Sequence, residues 1–326
     1  MDALSDVLRV VQLTGAVYLD GAFSTPWGIT VPSDSALCAA YLPPSERVIS
    51  FHLVTEGQCI AMLPHDPGTA LRLNAGDVIV VPQGETHLLS SSADVSPQLM
   101  APLLANQIEA TPGEVMTLVH GGGGTVTRMI CGFLTAQEIW RNPLLSALPR
   151  LFKVDMRGSS ASWIESSLRF ATKEAVSARA GGSTVLAKLA ELLFVEAVRC
   201  HVDTMADDRK GWLAALRDRF IARALALMHA RPAHPWTVEA LAQNVGMSRS
   251  GFARRFAELL GMPPVQYLAQ WRLQLAAQQL RVSNRALAAV AEEVGYDSEA
   301  AFNRAFKREF GVPPATWRRN ANGPAM

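Results

Sequence analysis

The chain has 326 residues, 49% of them hydrophobic, and its 30 Lys and Arg nearly balance its 29 Asp and Glu. This length predicts two or three domains with well-formed cores. No apolar run approaches the roughly 20 residues that span a bilayer, and no basic stretch leads into an apolar one at the start. We therefore expect a cytoplasmic protein with no membrane partner. The four cysteines form no Cys-x-x-Cys pair, which argues against a zinc knot or a disulfide framework.

Residues 20–135 have the pattern of short β-strands. Residues 48–55 are rich in β-branched and aromatic side chains, break at Glu56-Gly57 and resume over residues 58–63, which predicts a hairpin. A further strand is predicted over residues 77–81, between a Gly turn and a Pro-Gly turn. Short strands with such turns are typical of a sandwich or a barrel.

The stretch from Gly76 to His87 resembles the second motif of the cupins, with its glycine, proline, glycine and histidine in the usual spacing. In metal-binding cupins that histidine is a ligand. The first cupin motif is degraded here, because Ser50 and residues 43–47 stand where a His-x-His pair and a glutamate are usual. His52 should face the same side of its strand as Ser50.

We therefore predict an effector pocket lined by Ser50, His52 and His87, and no resident metal or other cofactor. His52 and His87 are the candidate ligands if a metal does bind. The alternative left open is a pair of histidines hydrogen-bonded inside a barrel that binds an organic effector or nothing.

Cys59 and Cys131 are the redox candidates, one after the hairpin turn and one in a strand-like segment. Buried strand cysteines are more commonly inert, and only Arg128 could lower a neighbouring thiol pKa. The Gly121–Gly124 run that precedes Cys131 lacks the Gly-Lys-Ser/Thr ending of a phosphate loop, so we predict a flexible turn there.

Residues 162–177 and 184–202 have apolar positions at helical spacing, and Gly181-Gly182 separates them. They form either a dimer surface or a layer on the barrel, and both alternatives remain open. The polar residues 205–210 are predicted to be a hinge.

One helical unit is used twice near the C-terminus. Phe252, Phe256, Gly261 and Pro263-Pro264 each recur fifty residues later in the chain. In each copy a short amphipathic helix ends at a glycine, and a serine or aspartate then caps a second helix. Two helices joined in this way are a helix-turn-helix, whose second helix enters the major groove of DNA.

A helix over residues 264–281 is predicted to join the two copies. It would hold both recognition helices on one face, roughly 34 Å apart, which is one turn of DNA. Residues 218–320 carry a net charge of +6, so the rest of the chain, at +1 overall, carries −5. A basic unit attached to an acidic one favours a DNA-binding module joined to another module.

Residues 218–320, with both helix pairs and the closing Gly311–Trp317 segment, resemble the DNA-binding domain of the AraC/XylS family of transcription regulators. The Pro26-Trp27-Gly28 turn, residues 51–54 and Cys131-Gly132 look like a branch of that family with a cupin-like N-terminal domain. Some members of that branch respond to oxidants through cysteines.

The resemblance implies which residues read DNA. The base-facing positions would be Arg249, Ser250, Ala253 and Arg254 in the first unit and Glu299, Ala300, Asn303 and Arg304 in the second. Arginine and asparagine pair well with base edges, which favours Arg254, Asn303 and Arg304. Arg249, Arg255, Lys307 and Arg308 would contact phosphates.

We therefore expect a multidomain α and β protein with a cupin-like barrel at residues 1–145, a helical linker at 146–210 and a double helix-turn-helix domain at 211–320. It would be a transcription regulator, and specifically an activator. Its partners would be promoter DNA, a small effector, RNA polymerase and a second copy of the chain. The alternatives are a cupin-type metal-dependent enzyme fused to a DNA-binding domain, and an architectural DNA binder without an effector.

Overall fold

The computed structural model describes residues 2–11, 13–32, 47–105, 115–136, 143–157, 163, 166, 167, 170, 181–206 and 210–321. The strands are β1 Leu13–Ser24, β2 Gly28–Val31, β3 Arg47–Glu56, β4 Gln58–Leu63, β5 Asp66–Asn74, β6 Asp77–Val81, β7 His87–Ser90, β8 Gln98–Leu99, β9 Met116–Gly121, β10 Val126–Ala136 and β11 Phe152–Asp155. The helices are α1 Ala3–Val11, α2 Met100–Ala105, α3 Pro143–Ala147, α4 Gly182–Thr204, α5 Trp212–Arg217, α6 Arg219–Ala230, α7 Val238–Val245, α8 Arg249–Leu260, α9 Pro264–Val282, α10 Leu287–Glu293, α11 Glu299–Phe310 and α12 Pro314–Ala321.

The strands form two sheets. One has the order β11-β6-β3-β10-β1-β9 and the other β5-β4-β7-β2-β8. A single apolar cluster takes side chains from both sheets, including Phe23 and Val54 from the first and Ile29 and Leu89 from the second. The sheets therefore pack face to face, and the predicted fold class, a β-rich cupin-like unit followed by a helical one, is confirmed.

The strands predicted at the hairpin and at the cupin motif are present, and β3 is one residue longer at each end than predicted. β4 and β6 match residue for residue, and Gly57 turns the chain between β3 and β4 with φ +77°. A Cβ at this glycine would lie 2.5 Å from the carbonyl oxygen of Val126, so the turn needs glycine both for its dihedral angle and for its packing.

Two elements in the predicted linker belong to the β-rich unit. β11 pairs antiparallel with β6, and its Phe152 and Val154 are buried in alternation with exposed Lys153 and Asp155. α4 packs on β1 and β11 through a buried face that includes Leu186, Leu193 and Phe194. Of the two alternatives for this helix, the structure shows packing on the sheet. The predicted partner helix over 162–177 lies mostly outside the described residues.

The compact units divide the chain differently from the predicted boundaries at 145 and 210. One unit comprises residues 13–137 and 148–204, and the other comprises 1–12, 138–147 and 205–326. α1 belongs to the second unit because Ala3, Val7 and Val10 are buried and the helix packs against α6. A short helix at the start of the chain is thus part of the compact unit that is formed mainly by residues 205–326.

The Gly121–Gly124 run is a packed turn, contrary to the flexible one predicted. The amides of Gly122 and Gly124 donate to the carbonyls of Ser24 and Thr25 at 2.9 Å, and Gly123 donates to the Ser24 hydroxyl at 2.9 Å. A Cβ at Gly122 would lie 2.4 Å from the Pro26 ring. These donors are already used within the protein, so the run does not offer them to a phosphate.

The helical unit contains both predicted helix pairs. α7 ends directly before Gly246, as predicted, and α9 ends one residue later than predicted. Phe302, Phe306, Phe310 and Trp317 form a continuous ring cluster under the second pair, with ring centroids 4.4 to 5.8 Å apart. None of the helices described for the chain is long and apolar enough to cross a membrane.

Candidate nucleic-acid interface and buried histidine pair

In the first helix-turn-helix, one residue caps the end of α7 and another caps the start of α8. Gly246 ends α7 in the left-handed conformation with φ 77°, and the hydroxyl of Ser248 then accepts a hydrogen bond from the Gly251 amide at 3.2 Å. Phe252 and Phe256 are fully buried on the inner side of α8. The helical period therefore turns Arg249, Ser250 and Arg254 to the exposed side, as the sequence predicts.

The predicted DNA-binding residues of α8 differ in their surroundings. Of the three arginines, Arg254 is the most exposed, with its side chain 79% exposed and Glu258 3.8 Å away. Arg249 lies 2.6 Å from Glu239 of α7, and Ala253 is half-buried. That these residues contact bases or phosphates of DNA stays a prediction.

Arg255 has a structural role that the sequence did not indicate. Its guanidinium donates to the carboxylate of Asp218, which is only 6% exposed. The same carboxylate caps α6 by accepting from the amides of Phe220 and Ile221, each at 3.0 Å. Arg255 therefore ties α8 to the start of α6, so less of its charge is available to a phosphate. The signal in the sequence was Asp218 itself, an N-cap residue type immediately before a helical pattern.

The second helix-turn-helix repeats the design. Gly295 adopts φ 87°, and the Ser298 hydroxyl accepts from the Ala301 amide at 3.2 Å, so the cap is this serine and not the preceding Asp297. Among the predicted residues of α11, Asn303 is half-buried, and the exposed ones are Glu299, Ala300, Arg304, Lys307 and Arg308.

The cations of α11 are available for DNA. Within the described part of the chain, Arg304, Lys307 and Arg308 have no ion-pair partner, whereas the three predicted cations of α8 each have one. A cation without an internal partner gives up no ion pair when it contacts a phosphate. α11 is therefore the stronger candidate for electrostatic contact.

In the β-rich unit, the structure brings His52 and His87 together. His52 lies on β3 of one sheet and His87 at the start of β7 of the other, and their Nε2 atoms are 2.7 Å apart. Both side chains are fully buried. Ser50 is half-buried on β3, and no hydrogen bond to the pair is seen in the described structure.

The backbone determines where the protons of the pair lie. His87 Nδ1 is 2.9 Å from the carbonyl oxygen of Glu85, which can only accept, so Nδ1 of a neutral His87 carries the proton. His87 Nε2 is then an acceptor, and His52 Nε2 must donate to it. His52 Nδ1 is left as a buried acceptor without a partner.

Both histidines are held neutral. Burial lowers the pKa of His87 to about 4, and burial together with the neighbouring His87 lowers the pKa of His52 well below its usual range. The pair supplies two nitrogen ligands, fewer than the three protein ligands that catalytic zinc sites have. No group of three or more His, Cys, Asp or Glu that could hold an ion occurs among the residues described.

The redox candidates Cys59 and Cys131 are both buried free thiols in the apolar core. Burial raises the pKa of Cys59 to about 12, with the negative charge of Asp77 adding to the effect. Burial also raises the pKa of Cys131, and Cys59 contributes. Because the thiolate is the reactive form, this environment does not favour oxidant sensing by either residue.

Comparison with known proteins agrees with this architecture. Residues 2–203 match a family described as cupin, and residues 241–320 match one described as a helix-turn-helix domain. The HTH-type transcriptional regulator AlkR of Acinetobacter baylyi is 32% identical over 98% of this chain and 100% of its own length. A putative AraC-like transcription regulator of Streptomyces lividans is 31% identical over 99% and 100%.

The RCS-specific HTH-type transcriptional activator RclR of Escherichia coli is 28% identical over 98% of this chain and 97% of its own length. All three relatives are similar along their whole length, so the order of the two modules is shared with them. The chain therefore belongs to the AraC-like transcription regulators, with a cupin domain ahead of a helix-turn-helix domain.

Proposed function

We propose that the chain is a homodimeric activator and not an enzyme, and that a small effector in its β-rich unit changes how it binds promoter DNA. The main support for DNA binding is that the chain contains two helix-turn-helix units, each with a capped second helix, and that the cations of α11 form no ion pair within the described structure. Activation would require a contact with RNA polymerase. The E. coli relative is named an activator, which supports that part of the proposal.

The effector part rests on the histidine pair. His52 Nδ1 is a buried acceptor that no group of the described protein satisfies, and such an atom costs free energy unless a donor reaches it. We propose that the effector supplies a hydrogen-bond donor at this atom. An effector shifts regulation only to the extent that it binds the two arrangements of the protein with different affinity.

The dimer part rests on α4. Its inner face packs on the sheet, while Val185 and Leu192, two turns apart, are 53% and 46% exposed. Leu192→Glu should shift the full chain from dimer to monomer in analytical ultracentrifugation. The matched change Val282→Glu, at a 63% exposed apolar position at the end of α9, should leave the dimer intact.

Thermal unfolding of the full chain against a panel of small metabolites tests the effector proposal, because a ligand that binds only the folded state raises its stability. A stabilising compound whose effect is lost in His52→Phe but kept in His65→Phe, an exposed position of the same unit, would support it. Stabilisation that survives His52→Phe would place the effector elsewhere.

A further inference from the structure

One arginine lies where the two helix-turn-helix units meet. Arg272 is in the middle of α9, the helix that joins the units, and its side chain is partly buried. Its Nε donates to the Pro232 carbonyl at 2.7 Å, Nη2 to the His234 carbonyl at 3.0 Å and Nη1 to the Gly295 carbonyl at 3.0 Å. All three acceptors are backbone oxygens outside α9.

These acceptors belong to the two different helix-turn-helix units. Pro232 and His234 lie in the loop that leads into α7 of the first unit, whereas Gly295 is the turn between α10 and α11 of the second. One planar guanidinium thus bonds both, in the fixed fork geometry that only arginine offers.

Both partner segments are held by hydrogen bonds of their own. In the loop, the amide of Trp236 donates to the His234 carbonyl at 2.8 Å, and the Trp236 indole donates to the Arg231 carbonyl at 3.2 Å. In the turn, the amides of Gly295 and Tyr296 donate back to α10 at 2.9 Å each. A bond between two rigid segments fixes their separation more tightly than a bond between flexible ones.

The backbones of the two units also approach closely at this point. A Cβ at Gly295 would lie 2.7 Å from the Cα of Ala233 and 3.0 Å from the Arg272 guanidinium carbon. The equivalent glycine of the first unit, Gly246, has open space at the same position. Only the second turn is therefore packed against the other unit.

We infer that Arg272 is a positioning residue that sets the distance between the two recognition helices, and with it the spacing of the two DNA half-sites that the protein accepts. It need not touch DNA to do so. The inference rests on DNA binding by both units, and it assigns spacing selectivity to one side chain.

The experiment uses the full chain and a double-stranded site selected by the wild-type protein from random DNA. Affinity is measured on this site and on versions with one base pair added or removed between the half-sites. For the wild type we expect each altered spacing to weaken binding by about ten-fold. Arg272→Lys keeps the charge but loses the fork, so we expect weaker binding at the native spacing and a nearly flat spacing profile.

Arg223→Gln is the control for charge, because it removes one positive charge from an exposed position of α6. It should keep the wild-type spacing profile. A wild-type profile in Arg272→Lys would overturn the inference, and so would an equal loss at every spacing with the preference intact. A wild-type protein that selects no DNA would instead overturn DNA binding itself.

A second variant covers the case in which Arg272→Lys does not fold. Gly295→Ala places a methyl group against Ala233 and separates the units from the other side of the same contact. We expect the same flattened spacing profile. An unchanged profile in a folded Gly295→Ala protein would contradict the inference independently of Arg272.

Discussion

At the scale of single residues, the two recognition helices expose different chemistry. Arg249, Arg254 and Arg255 of α8 each form an ion pair with a carboxylate, while Arg304, Lys307 and Arg308 of α11 form none within the described structure. A side chain that must leave an internal ion pair gains less from DNA than one that is already free. α11 should therefore dominate the electrostatic part of DNA binding.

Arg304→Ala tests base reading by α11. We expect the preferred site to lose about 1–3 kcal/mol of binding free energy while random DNA is bound as before, because a base contact exists only at the correct sequence. Lys307→Ala is the matched variant and should weaken both DNAs alike, with a smaller salt slope. Fluorescence anisotropy on the two DNAs measures this, and equal weakening by Arg304→Ala would remove its base-reading role.

The histidine pair makes the β-rich unit sensitive to acid. The pKa of His87 falls from 6.5 to about 4 on folding, so between these values the unfolded chain binds more protons and the stability decreases as the pH falls. We expect a loss of about 1 kcal/mol between about pH 7 and about pH 5.5. Urea unfolding at several pH values measures it.

The double variant His52→Leu/His87→Leu should flatten this pH dependence, since no buried histidine then remains to be protonated on unfolding at these two sites. His65→Leu, at an exposed position of the same unit, should leave it unchanged. A full pH dependence in the double variant would show that other groups are responsible.

At the scale of secondary-structure elements, the same turn is used twice in different surroundings. Gly246 and Gly295 both adopt left-handed φ values, of 77° and 87°, but only Gly295 has backbone atoms of another segment within contact distance. Replacing Gly246 by alanine adds only the conformational cost of the left-handed backbone. Replacing Gly295 by alanine adds the same cost and also a steric clash with Ala233.

We therefore expect Gly246→Ala to lower the free energy of unfolding of the helical unit by about 1 kcal/mol. Gly295→Ala should lower it clearly more, because the neighbouring backbone must move. Chemical denaturation followed by tryptophan fluorescence compares the two. Equal losses would mean that the contact between Gly295 and Ala233 carries no energy.

Local patterns in the sequence predicted the helix pairs, their caps and the strands β3, β4 and β6 well, since glycine turns and apolar periods are local properties. β11 was missed because four alternating residues are too short a pattern without the partner strand β6. The Nε2 contact between His52 and His87 could not be predicted either, because it depends on how two sheets pack. Arg272 gave no local signal, since its acceptors lie 23 to 40 residues away.

At the scale of the whole molecule, the chain order and the compact units do not coincide. α1 stands at the start of the chain, directly before β1, yet it packs on α6 of the helical unit. Residues 2–11 are therefore part of the structure that carries the two recognition helices.

Val7→Ala tests this assignment. Val7 is fully buried, and its truncation should cost about 1–3 kcal/mol and lower the hydrogen-exchange protection of α6 amides in the full chain. Leu134→Ala, an equally buried change in β10, should instead lower protection in the β-rich unit. Unchanged α6 protection in Val7→Ala would contradict the packing of α1 on α6.

Selection of bound sequences from a random DNA pool by the full chain tests most directly whether both helix-turn-helix units read DNA together. Two recognition helices held by one connecting helix predict a bipartite consensus, with two motifs centred about 10 base pairs apart on one face of the duplex. Enrichment of a single short motif, or of none, would contradict a double reader whose two units engage DNA together.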